Sequence, residues 1–316
     1  MSQSVDGKTA IITGAGSGIN LAFAAVLLSK GCNVVLADLS LRPEAQQLVN
    51  RHQSGRARAV FQKTDVRDWL QLERMFSTAD SQFGRVDIVC PGAGVYEPSW
   101  STFWKPPGTP QSGDAIDGNR YALLDINIIH PIRTAQLAIS RFLNSKHVGN
   151  KTIVMISSTS AQDTSIATPL YDASKHAISG FVRALKDMSS VNVRVAAVAP
   201  GIIKTPLYTE NPDKMAMIDG LQDVWVEPEE VAEVMVALIE RDAINEQIGC
   251  YSEKDNSIFI EGGTILEITK GRARPVFPYH DPGPSGPGAL ASNMAAAEQA
   301  VKDALAPGWG IDRQGK

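Results

Sequence analysis

The chain has 316 residues, of which 43% are apolar and 20% charged, the balance of a globular protein with a full-sized core. Its 30 Lys and Arg residues stand against 34 Asp and Glu residues, and the net charge of −4 argues against nucleic acid or an anionic membrane surface as the main partner. Three scattered cysteines suit neither a disulfide framework nor a zinc site.

The hydrophobic pattern gives no sign of a membrane or export signal. No apolar run approaches the roughly 18–20 residues that cross a bilayer, so no membrane span is expected. The first eight residues lack the basic and apolar blocks of a signal peptide. The sequence therefore predicts a cytoplasmic protein. Its five dispersed histidines have no metal-ligand spacing, and no metal is expected.

Short β-branched runs alternate with longer stretches of helical character. The predicted strands are 9–13, 33–38, 59–64, 86–90, 152–156, 193–198 and 257–262. The predicted helices lie near 18–30, 42–53, 68–83, 120–146, 170–189 and 227–240. Several strands are apolar almost throughout, which is typical of a parallel sheet covered by helices on both faces. The alternation predicts an α/β Rossmann fold, a doubly wound parallel seven-stranded sheet.

Two segments depart from this alternation. Residues 97–119 are rich in Pro and aromatic residues and predict a long inserted loop, which together with 204–226 would border a substrate site. From Gly271 to Gly288, nine of eighteen residues are Gly or Pro. We therefore expect a single domain over 1–269 and an arm with a short helix over 270–316. That arm would pack on a neighbouring subunit or over the substrate site, or form a loose tail.

A glycine-rich turn directly follows the first predicted strand, in the order Thr13-Gly14-Ala15-Gly16-Ser17-Gly18-Ile19. Glycines let the backbone turn tightly and approach a diphosphate, while the next helix directs its free N–H groups at it. The position between a first strand and a first helix distinguishes this string from an ordinary turn. It predicts a dinucleotide site.

Asp38 ends the second predicted strand, 24 residues after Gly14. A carboxylate at this place accepts hydrogen bonds from both adenosine ribose hydroxyls and repels a 2′-phosphate, although Asp also commonly caps turns. The glycine-rich turn holds no basic residue and Leu39 follows the Asp, whereas Arg42 nearby argues in the other direction. The pattern favours NAD over NADP.

Tyr171 and Lys175 stand at i and i+4 and therefore share one face of a predicted helix. A neighbouring ammonium favours the phenolate form of a tyrosine. Such a pair alone more often lies on a surface, but Ser157 and Ser158 end the fifth predicted strand. The carboxyl ends of parallel strands face the ligand crevice, so these hydroxyls predict a catalytic site.

With these motifs the sequence resembles the classical short-chain dehydrogenase/reductase family over residues 6–265. The residues that carry the resemblance, in the order of the family, are Gly14, Gly18, Asp65, Val66, Ala93, Gly94, Asn127, Ser158, Tyr171, Lys175, Pro200, Gly201 and Thr205. The helix around Tyr171 is similar to that of the subgroup with NAD-dependent 15-hydroxyprostaglandin dehydrogenases and fungal polyketide-pathway dehydrogenases.

The resemblance implies a role for each matched residue. Tyr171 would be the general acid/base, Lys175 would lower its pKa, Ser158 would hold the substrate oxygen, and Asn127 would hold a proton-relay water. The implied NAD contacts are Gly14, Ser17, Gly18, Ile19, Asp38, Asp65, Val66, Gly92, Tyr171, Lys175, Pro200, Ile203 and Thr205. The resemblance also implies a homodimer or homotetramer that pairs through the helices near 120–146 and 170–189.

Two positions depart from the family pattern. Asn20 stands at the place of the third glycine, and Pro91-Gly92 stands where the family has two asparagines. We expect the larger side chain at position 20 to alter helix–strand packing. We also expect the loop after the fourth strand to lack the side-chain amides that brace it in the family.

Aromatic, thioether and aliphatic side chains concentrate after the fourth and sixth strands: Tyr96, Trp100, Phe103, Trp104, Leu207, Tyr208, Met215, Met217 and Trp225. Loops at these positions line the crevice of such a sheet. Acidic residues outnumber the lysines in 204–226, which disfavours an acidic metabolite. The sequence predicts hydride transfer between NAD(H) and a bulky, apolar or aromatic secondary alcohol or ketone. The alternatives are an NADP-dependent ketoreductase of polyketide or secondary metabolism and a non-catalytic NAD(H)-binding regulator.

Overall fold

The computed structural model describes residues 3–248 and 257–278, together with Gln299, Val301, Asp303, Leu305, Gly308 and Trp309. The strands are β1 (Thr9–Thr13), β2 (Asn33–Asp38), β3 (Ala59–Lys63), β4 (Ile88–Cys90), β5 (Lys151–Ile156), β6 (Val193–Pro200), β7 (Ala243–Asn245), β8 (Ser257–Phe259), β9 (Ile265–Thr269) and β10 (Arg272–Pro275). The helices are α1 (Gly18–Ser29), α2 (Pro43–Arg51), α3 (Trp69–Phe83), α4 (Ala122–Leu124), α5 (His130–Leu143), α6 (Pro169–Ala184), α7 (Pro206–Thr209), α8 (Pro212–Met215) and α9 (Pro228–Glu240).

The main sheet has the strand order β10-β9-β6-β5-β4-β1-β2-β3. Every neighbouring pair is parallel except β10, which runs antiparallel to β9 at the edge. The chain runs outward from β1 to β3 and then restarts beside β1 at β4. In open sheets ligands bind at this reversal, outside the carboxyl ends of the strands. The predicted doubly wound parallel fold is confirmed.

Helices cover both faces of the sheet, which is why its strands read as apolar runs. All five residues of β1 are buried. One face packs against α1 and α9 around Phe23 and Leu27, and the other packs against α3, α5 and α6 around Phe76. Burial of a strand on both faces favours continuous rather than alternating apolar sequence.

Local sequence explains where the long helices begin and end. The Asp68 side chain accepts hydrogen bonds from the backbone N–H groups of Leu70 and Gln71 at the start of α3, and Gly84 ends that helix in the left-handed region with φ 71°. Glu227 and Glu230 form a capping box at the start of α9.

The prediction that 257–262 is the seventh strand of the sheet was wrong. Ser257–Phe259 pairs antiparallel with β7 in a separate two-stranded sheet, while Ile265–Thr269 takes the position beside β6. Residues of β8 are exposed, buried and exposed in turn, whereas four of the five residues of β9 are buried. The buried Glu267 interrupts the apolar run of β9, and its charge is paired with Arg274 of β10. The signal of the buried strand was therefore weak in the sequence.

The predicted arm begins with structure that belongs to the sheet. Strand β10 lies beyond residue 269, where we expected the domain to end, and continues the sheet. Further on, Leu305 and Trp309 are partly buried against this chain's own core, and the Trp309 carbonyl accepts a hydrogen bond from Ser140 Oγ of α5 at 3.1 Å. Of the predicted apolar stripe, Val301 is exposed in a helical segment, and Leu290 and Met294 lie outside the described residues.

Candidate active site

Two segments meet the glycine-rich turn at the carboxyl end of β1. Gly14 has φ 70°, and a Cβ added to it would lie 2.8 Å from the Ala93 Cα, so only glycine allows this approach. The Ala93 N–H donates to the Thr13 hydroxyl at 3.1 Å. A Cβ at Gly18 would lie 3.2 Å from Thr205 Cγ2, which places the segment after β6 against the same turn.

The amino end of α1 and the end of β2 fit a dinucleotide. Ser17, the N-cap of α1, makes no side-chain capping hydrogen bond in the described chain, so it leaves the first-turn N–H groups to a ligand. The half-buried Asp38 carboxylate accepts from Gly16 N–H at 2.8 Å and from Leu39 N–H at 2.6 Å. Both oxygens are thus oriented by backbone and keep lone pairs for ribose hydroxyls.

Two charged residues considered for the cofactor site, Arg42 and Asp65, form salt bridges with other residues of the protein. Arg42 donates to the Glu210 carboxylate through both terminal nitrogens, which holds the pKa of Glu210 below its usual range. The guanidinium that argued for NADP is therefore directed to the segment after β6. Asp65, predicted at the adenine, pairs with Arg67 at 2.7 Å, and Val66 beside it is buried.

Asn20 and Gly92, the two departures from the family pattern, contact each other. The Asn20 Nδ2 donates to the Gly92 carbonyl at 3.0 Å. A Cβ at Gly92 would lie 2.2 Å from Asn20 Oδ1, so the missing side chain at 92 makes the room for the amide at 20. The loop itself lacks the side-chain amides of the family, as expected, and the Asn20 amide of α1 braces it instead.

Ser158 and Lys175 both lie close to Tyr171. Burial raises the pKa of Tyr171, and a hydrogen bond with Ser158 acts in the opposite direction. Lys175 Nζ lies 5.4 Å from the centre of the Tyr171 ring and donates to the Ile156 carbonyl at 2.9 Å. Burial lowers the pKa of Lys175 to about 8.

The competing serine, Ser157, has a different environment. Its hydroxyl lies 2.7 Å from the Ser179 hydroxyl and donates to the Lys175 carbonyl at 3.2 Å, so it joins β5 to α6. Ser158 instead begins the short helical turn Thr159–Ala161 and faces Tyr171. The structure therefore separates a packing serine from one that faces the phenol.

Asn127 lies in a π-helical segment, Asp125–Ile129, within what we predicted as one continuous helix. Its amide exchanges two hydrogen bonds of 2.9 Å with the Val95 backbone and donates to Ser174 Oγ at 3.2 Å. π-Helical turns often occur at functional sites because they redirect one side chain. Here the turn joins the loop after β4 to α6, beside Lys175.

His130, which follows the π-helical segment, is fully buried. Its Nε2 lies 3.0 Å from Thr13 Oγ1 and its Nδ1 lies 3.0 Å from the Ile126 carbonyl. Because a carbonyl only accepts, Nδ1 carries the proton and Nε2 accepts from Thr13. Burial lowers the pKa of His130 to about 4, so the ring is neutral near pH 7.

A cluster of aromatic rings extends from Tyr171. The Tyr96 ring lies 4.5 Å from the Tyr171 ring and 5.6 Å from Tyr208, and Tyr208 lies 5.7 Å from Trp225. The Tyr96 hydroxyl also contacts the Met217 sulfur at 3.9 Å. The predicted aromatic residues Trp100, Phe103 and Trp104 are instead 42%, 50% and 54% exposed.

Sequence reasoning missed two buried charged residues beside this cluster. Glu97 is 3% exposed and accepts a hydrogen bond from the Tyr171 backbone N–H at 2.7 Å. Lys214 lies with its Nζ 4.9 Å from the centre of the Tyr96 ring. No hydrophobic period or motif spacing marks either residue in the sequence. Only the position of Glu97 next to Tyr96 indicated that it lies near the aromatic cluster.

Strand β6 ends at Pro200, and Ile203 and Thr205 lie just beyond it. All three residues are buried. Ile203 forms a bridge with Val226, which returns the segment 204–226 to the sheet. The glycine-rich turn, the loop after β4 and the segment after β6 thus lie against one another at the carboxyl end of the sheet.

Comparison with known proteins agrees with the fold. A sequence model of the family described as short chain dehydrogenase matches residues 8–216. The chain belongs to this family. As a short-chain dehydrogenase it is an oxidoreductase that acts on CH–OH groups.

Relatives of known activity cover most of the short-chain dehydrogenase chain. Human 15-hydroxyprostaglandin dehydrogenase [NAD(+)] is 30% identical over 258 residues, which cover 76% of this chain and 89% of the relative. Human 3-hydroxyacyl-CoA dehydrogenase type-2 is 29% identical over 257 residues, covering 78% and 94%. The crystal structure of 3-ketoacyl-(acyl-carrier-protein) reductase from Brucella melitensis, complexed with NADH, matches with a TM-score of 0.64 at 23% identity, over 85% of this chain and 99% of that one.

Among the described residues, no group of three or more His, Cys, Asp or Glu side chains is placed to hold a metal ion. Within the same residues, no helix has both the length and the apolar character needed to cross a bilayer.

Proposed function

We propose that this chain transfers hydride between NAD(H) and a bulky, apolar or aromatic secondary alcohol or its ketone, with Tyr171 as the general acid/base. The observation that carries the proposal is the Tyr171 phenol, hydrogen-bonded to Ser158 and beside Lys175 at the edge of the aromatic cluster. Two hydroxyls that face each other can hold one substrate oxygen between them.

The cofactor is NAD. The oriented Asp38 carboxylate would accept the adenosine ribose hydroxyls and repel a 2′-phosphate, and Glu210 holds the Arg42 guanidinium that such a phosphate would need. The human 15-hydroxyprostaglandin dehydrogenase is named for NAD(+). The remaining contacts would come from Gly14, Ser17, Gly18, Ile19, Asp65, Val66, Gly92, Tyr171, Lys175, Pro200, Ile203 and Thr205.

The protein side chains supply binding and proton transfer, and NAD, when bound, supplies the hydride acceptor. In alcohol oxidation Tyr171 takes the proton of the substrate hydroxyl, while Ser158 holds the same oxygen by a hydrogen bond. Because burial raises the pKa of Tyr171, the phenolate needs a nearby positive charge. Lys175 provides that charge below its pKa of about 8. Asn127 fixes the loop beside Lys175, and its part in a proton relay stays a prediction.

The substrate class rests on the walls of the crevice. Tyr96, Tyr208 and Trp225 present rings next to Tyr171, which suits an apolar or aromatic molecule better than a sugar or a short hydroxy acid. Lys214 is buried and paired with Asp213 at 3.2 Å, so its charge is used within the protein and not for an acidic substrate.

A substrate screen tests this proposal. Secondary alcohols of small polar, fatty, steroid-like and polycyclic aromatic types are incubated with NAD, and reduced cofactor is followed by absorbance. We expect the fastest turnover with the large apolar members. Fast turnover confined to small hydrophilic alcohols would contradict the substrate class, and tighter binding of NADP than NAD in a direct titration would contradict the cofactor.

The role of Tyr171 has its own test, which also separates an enzyme from an NAD(H)-binding regulator. Tyr171→Phe should abolish turnover and leave NAD affinity within about threefold, because the phenol oxygen is lost and the ring remains. Tyr121→Phe, which removes a phenol oxygen outside the site, is the matched control and should keep full activity. Retained turnover in Tyr171→Phe would exclude the proposed acid/base.

A homodimer or homotetramer and a cytoplasmic location stay predictions.

A further inference from the structure

Glu97 is a buried carboxylate in the loop that follows β4. The residue is 3% exposed, and its φ of 35° lies in the left-handed region that long side chains rarely adopt. Such a conformation persists only where the surroundings hold it, and a buried charge is retained only where it is well hydrogen-bonded. The surroundings of Glu97 therefore explain both features.

Three donors satisfy the Glu97 carboxylate. Oε1 accepts from the Thr102 hydroxyl at 3.0 Å and from the Phe103 N–H at 3.1 Å, both in its own loop. Oε2 accepts from the backbone N–H of Tyr171 at 2.7 Å. The carboxylate thus connects the inserted loop to the residue that carries the reacting phenol.

The Tyr171 N–H lies in the first turn of α6, where backbone N–H groups have no partner within the helix. Thr168, the N-cap of α6, makes no side-chain capping hydrogen bond. Glu97 therefore caps this helix from a distant loop, and its negative charge lies at the positive end of the helix dipole. The capped turn is the one that orients Tyr171.

Glu97 also contacts the segment after β6. Its backbone carbonyl accepts a hydrogen bond from Lys214 Nζ at 3.0 Å, and the Lys214 side chain is buried over the Tyr96 ring. One residue thus joins the inserted loop, the first turn of α6 and α8. All three elements border the aromatic cluster beside Tyr171.

We propose that Glu97 is a positioning residue that fixes the Tyr171 phenol relative to Ser158 through the backbone of the first turn of α6. The inference rests on the proposed role of Tyr171. A shift of the order of 1 Å in a reacting group can lower a rate by about two orders of magnitude, and a released first turn allows such a shift. The hydrogen bonds of Glu97 reach none of Gly14, Gly18 or Asp38, which we expect at the diphosphate and adenosine of NAD, so the expected effect is on the catalytic step and not on cofactor affinity.

The test is Glu97→Gln, assayed with the fastest alcohol of the screen. The amide replaces one acceptor oxygen with a donor group, so at least one of the three donors loses its acceptor. We expect kcat to fall about 10- to 100-fold, with the Kd for NAD within about twofold of the wild type. Glu229→Gln removes an exposed carboxylate from the first turn of α9 and is the matched control, expected to keep the wild-type kcat.

Thr102→Val separates the two sides of the carboxylate. It removes a donor from the loop side and leaves the bond to the Tyr171 N–H, so KM should rise while kcat stays within about threefold. In a Tyr171→Phe background, which has no turnover, Glu97→Gln should leave the Kd for NAD within about twofold. A merely structural role of Glu97 would reduce NAD affinity and thermal stability in both backgrounds.

The outcomes separate this inference from the proposed function. A folded Glu97→Gln enzyme with unchanged kcat overturns the inference alone, provided that Tyr171→Phe is inactive. Full activity of Tyr171→Phe overturns both. If Glu97→Gln does not fold, Glu97→Asp keeps the charge, shortens the reach by one methylene, and should show the same selective loss of kcat. An unchanged kcat in Glu97→Asp would then reject the role.

Discussion

Replacing Gly92 by Ala, alone and together with Asn20→Ala, measures how strongly the two unusual residues of the cofactor crevice depend on each other. The backbone of Gly92 lies outside the left-handed region, so alanine is allowed there by conformation. The added Cβ would lie 2.2 Å from Oδ1, 2.7 Å from Cγ and 2.8 Å from Nδ2 of Asn20. All three atoms belong to the side chain that Asn20→Ala removes.

The magnitudes follow from these contacts. Overpacking of this kind costs about 1–3 kcal/mol in the free energy of unfolding, and we expect that loss for Gly92→Ala. Asn20→Ala removes the donor to the Gly92 carbonyl and should cost about 1–2 kcal/mol. In the double variant the new methyl group meets none of the three atoms, so it should add less than about 0.5 kcal/mol. The expected coupling energy is therefore about 0.5–3 kcal/mol.

Urea unfolding of the wild type, both single variants and the double variant gives the coupling energy, and fluorescence titration gives the Kd for NAD in parallel. NAD affinity should follow the same order, because the Gly92 loop lies against the glycine-rich turn. Gly180→Ala adds the same methyl group in α6 with no atom within 4 Å, and should not destabilise the protein. Additive effects within about 0.5 kcal/mol would refute the complementarity of Asn20 and Gly92.

Two further predictions concern charge. Asp38→Ala should weaken NAD binding by about 1–3 kcal/mol and leave NADP affinity nearly unchanged in calorimetric titrations, because a charged acceptor for the ribose hydroxyls is lost. Equal losses for both dinucleotides would contradict this role of Asp38. Glu210→Gln should improve NADP binding, because it frees Arg42. His130 has a folded-state pKa of about 4, below the usual 6.5, so the unfolded chain binds its proton first and stability is lost as pH falls from about 6.5 to 4. Between pH 7 and 4.5 the wild type should lose about 2–3 kcal/mol more than His130→Gln in urea unfolding, and parallel losses in the two proteins would show that His130 is not buried as a neutral ring.

Much of the fold was predictable because its signals are local. Strands buried on both faces need apolar runs, and the helices between them show their own period, so the order of β1 to β6 and of the longer helices up to α9 follows from the sequence. The weak point was the last parallel strand. In β9 the buried Glu267 breaks the apolar run, and the partner that makes this tolerable, Arg274, lies on the following strand.

The helix that carries Asn127 was likewise only partly predictable from the sequence. Hydrophobic spacing predicts one helix over 120–146, and the structure inserts the π-helical segment Asp125–Ile129 ahead of α5. The reason is tertiary, because the Asn127 amide binds the Val95 backbone and His130 binds Thr13. No local propensity specifies these partners.

The sequence by itself determined the glycine-rich turn, the acid at the end of β2, and the face shared by Tyr171 and Lys175, because each depends on residues close together in the chain. Only the tertiary structure decided the contacts between Asn20 and Gly92, between Glu97 and Tyr171, and between Arg42 and Glu210, which join residues 72, 74 and 168 positions apart. No sequence periodicity indicates such pairs, because the packing of distant segments brings them together. Short stretches of sequence thus identify the reacting groups, whereas the contacts that hold these groups in place form only in the folded chain.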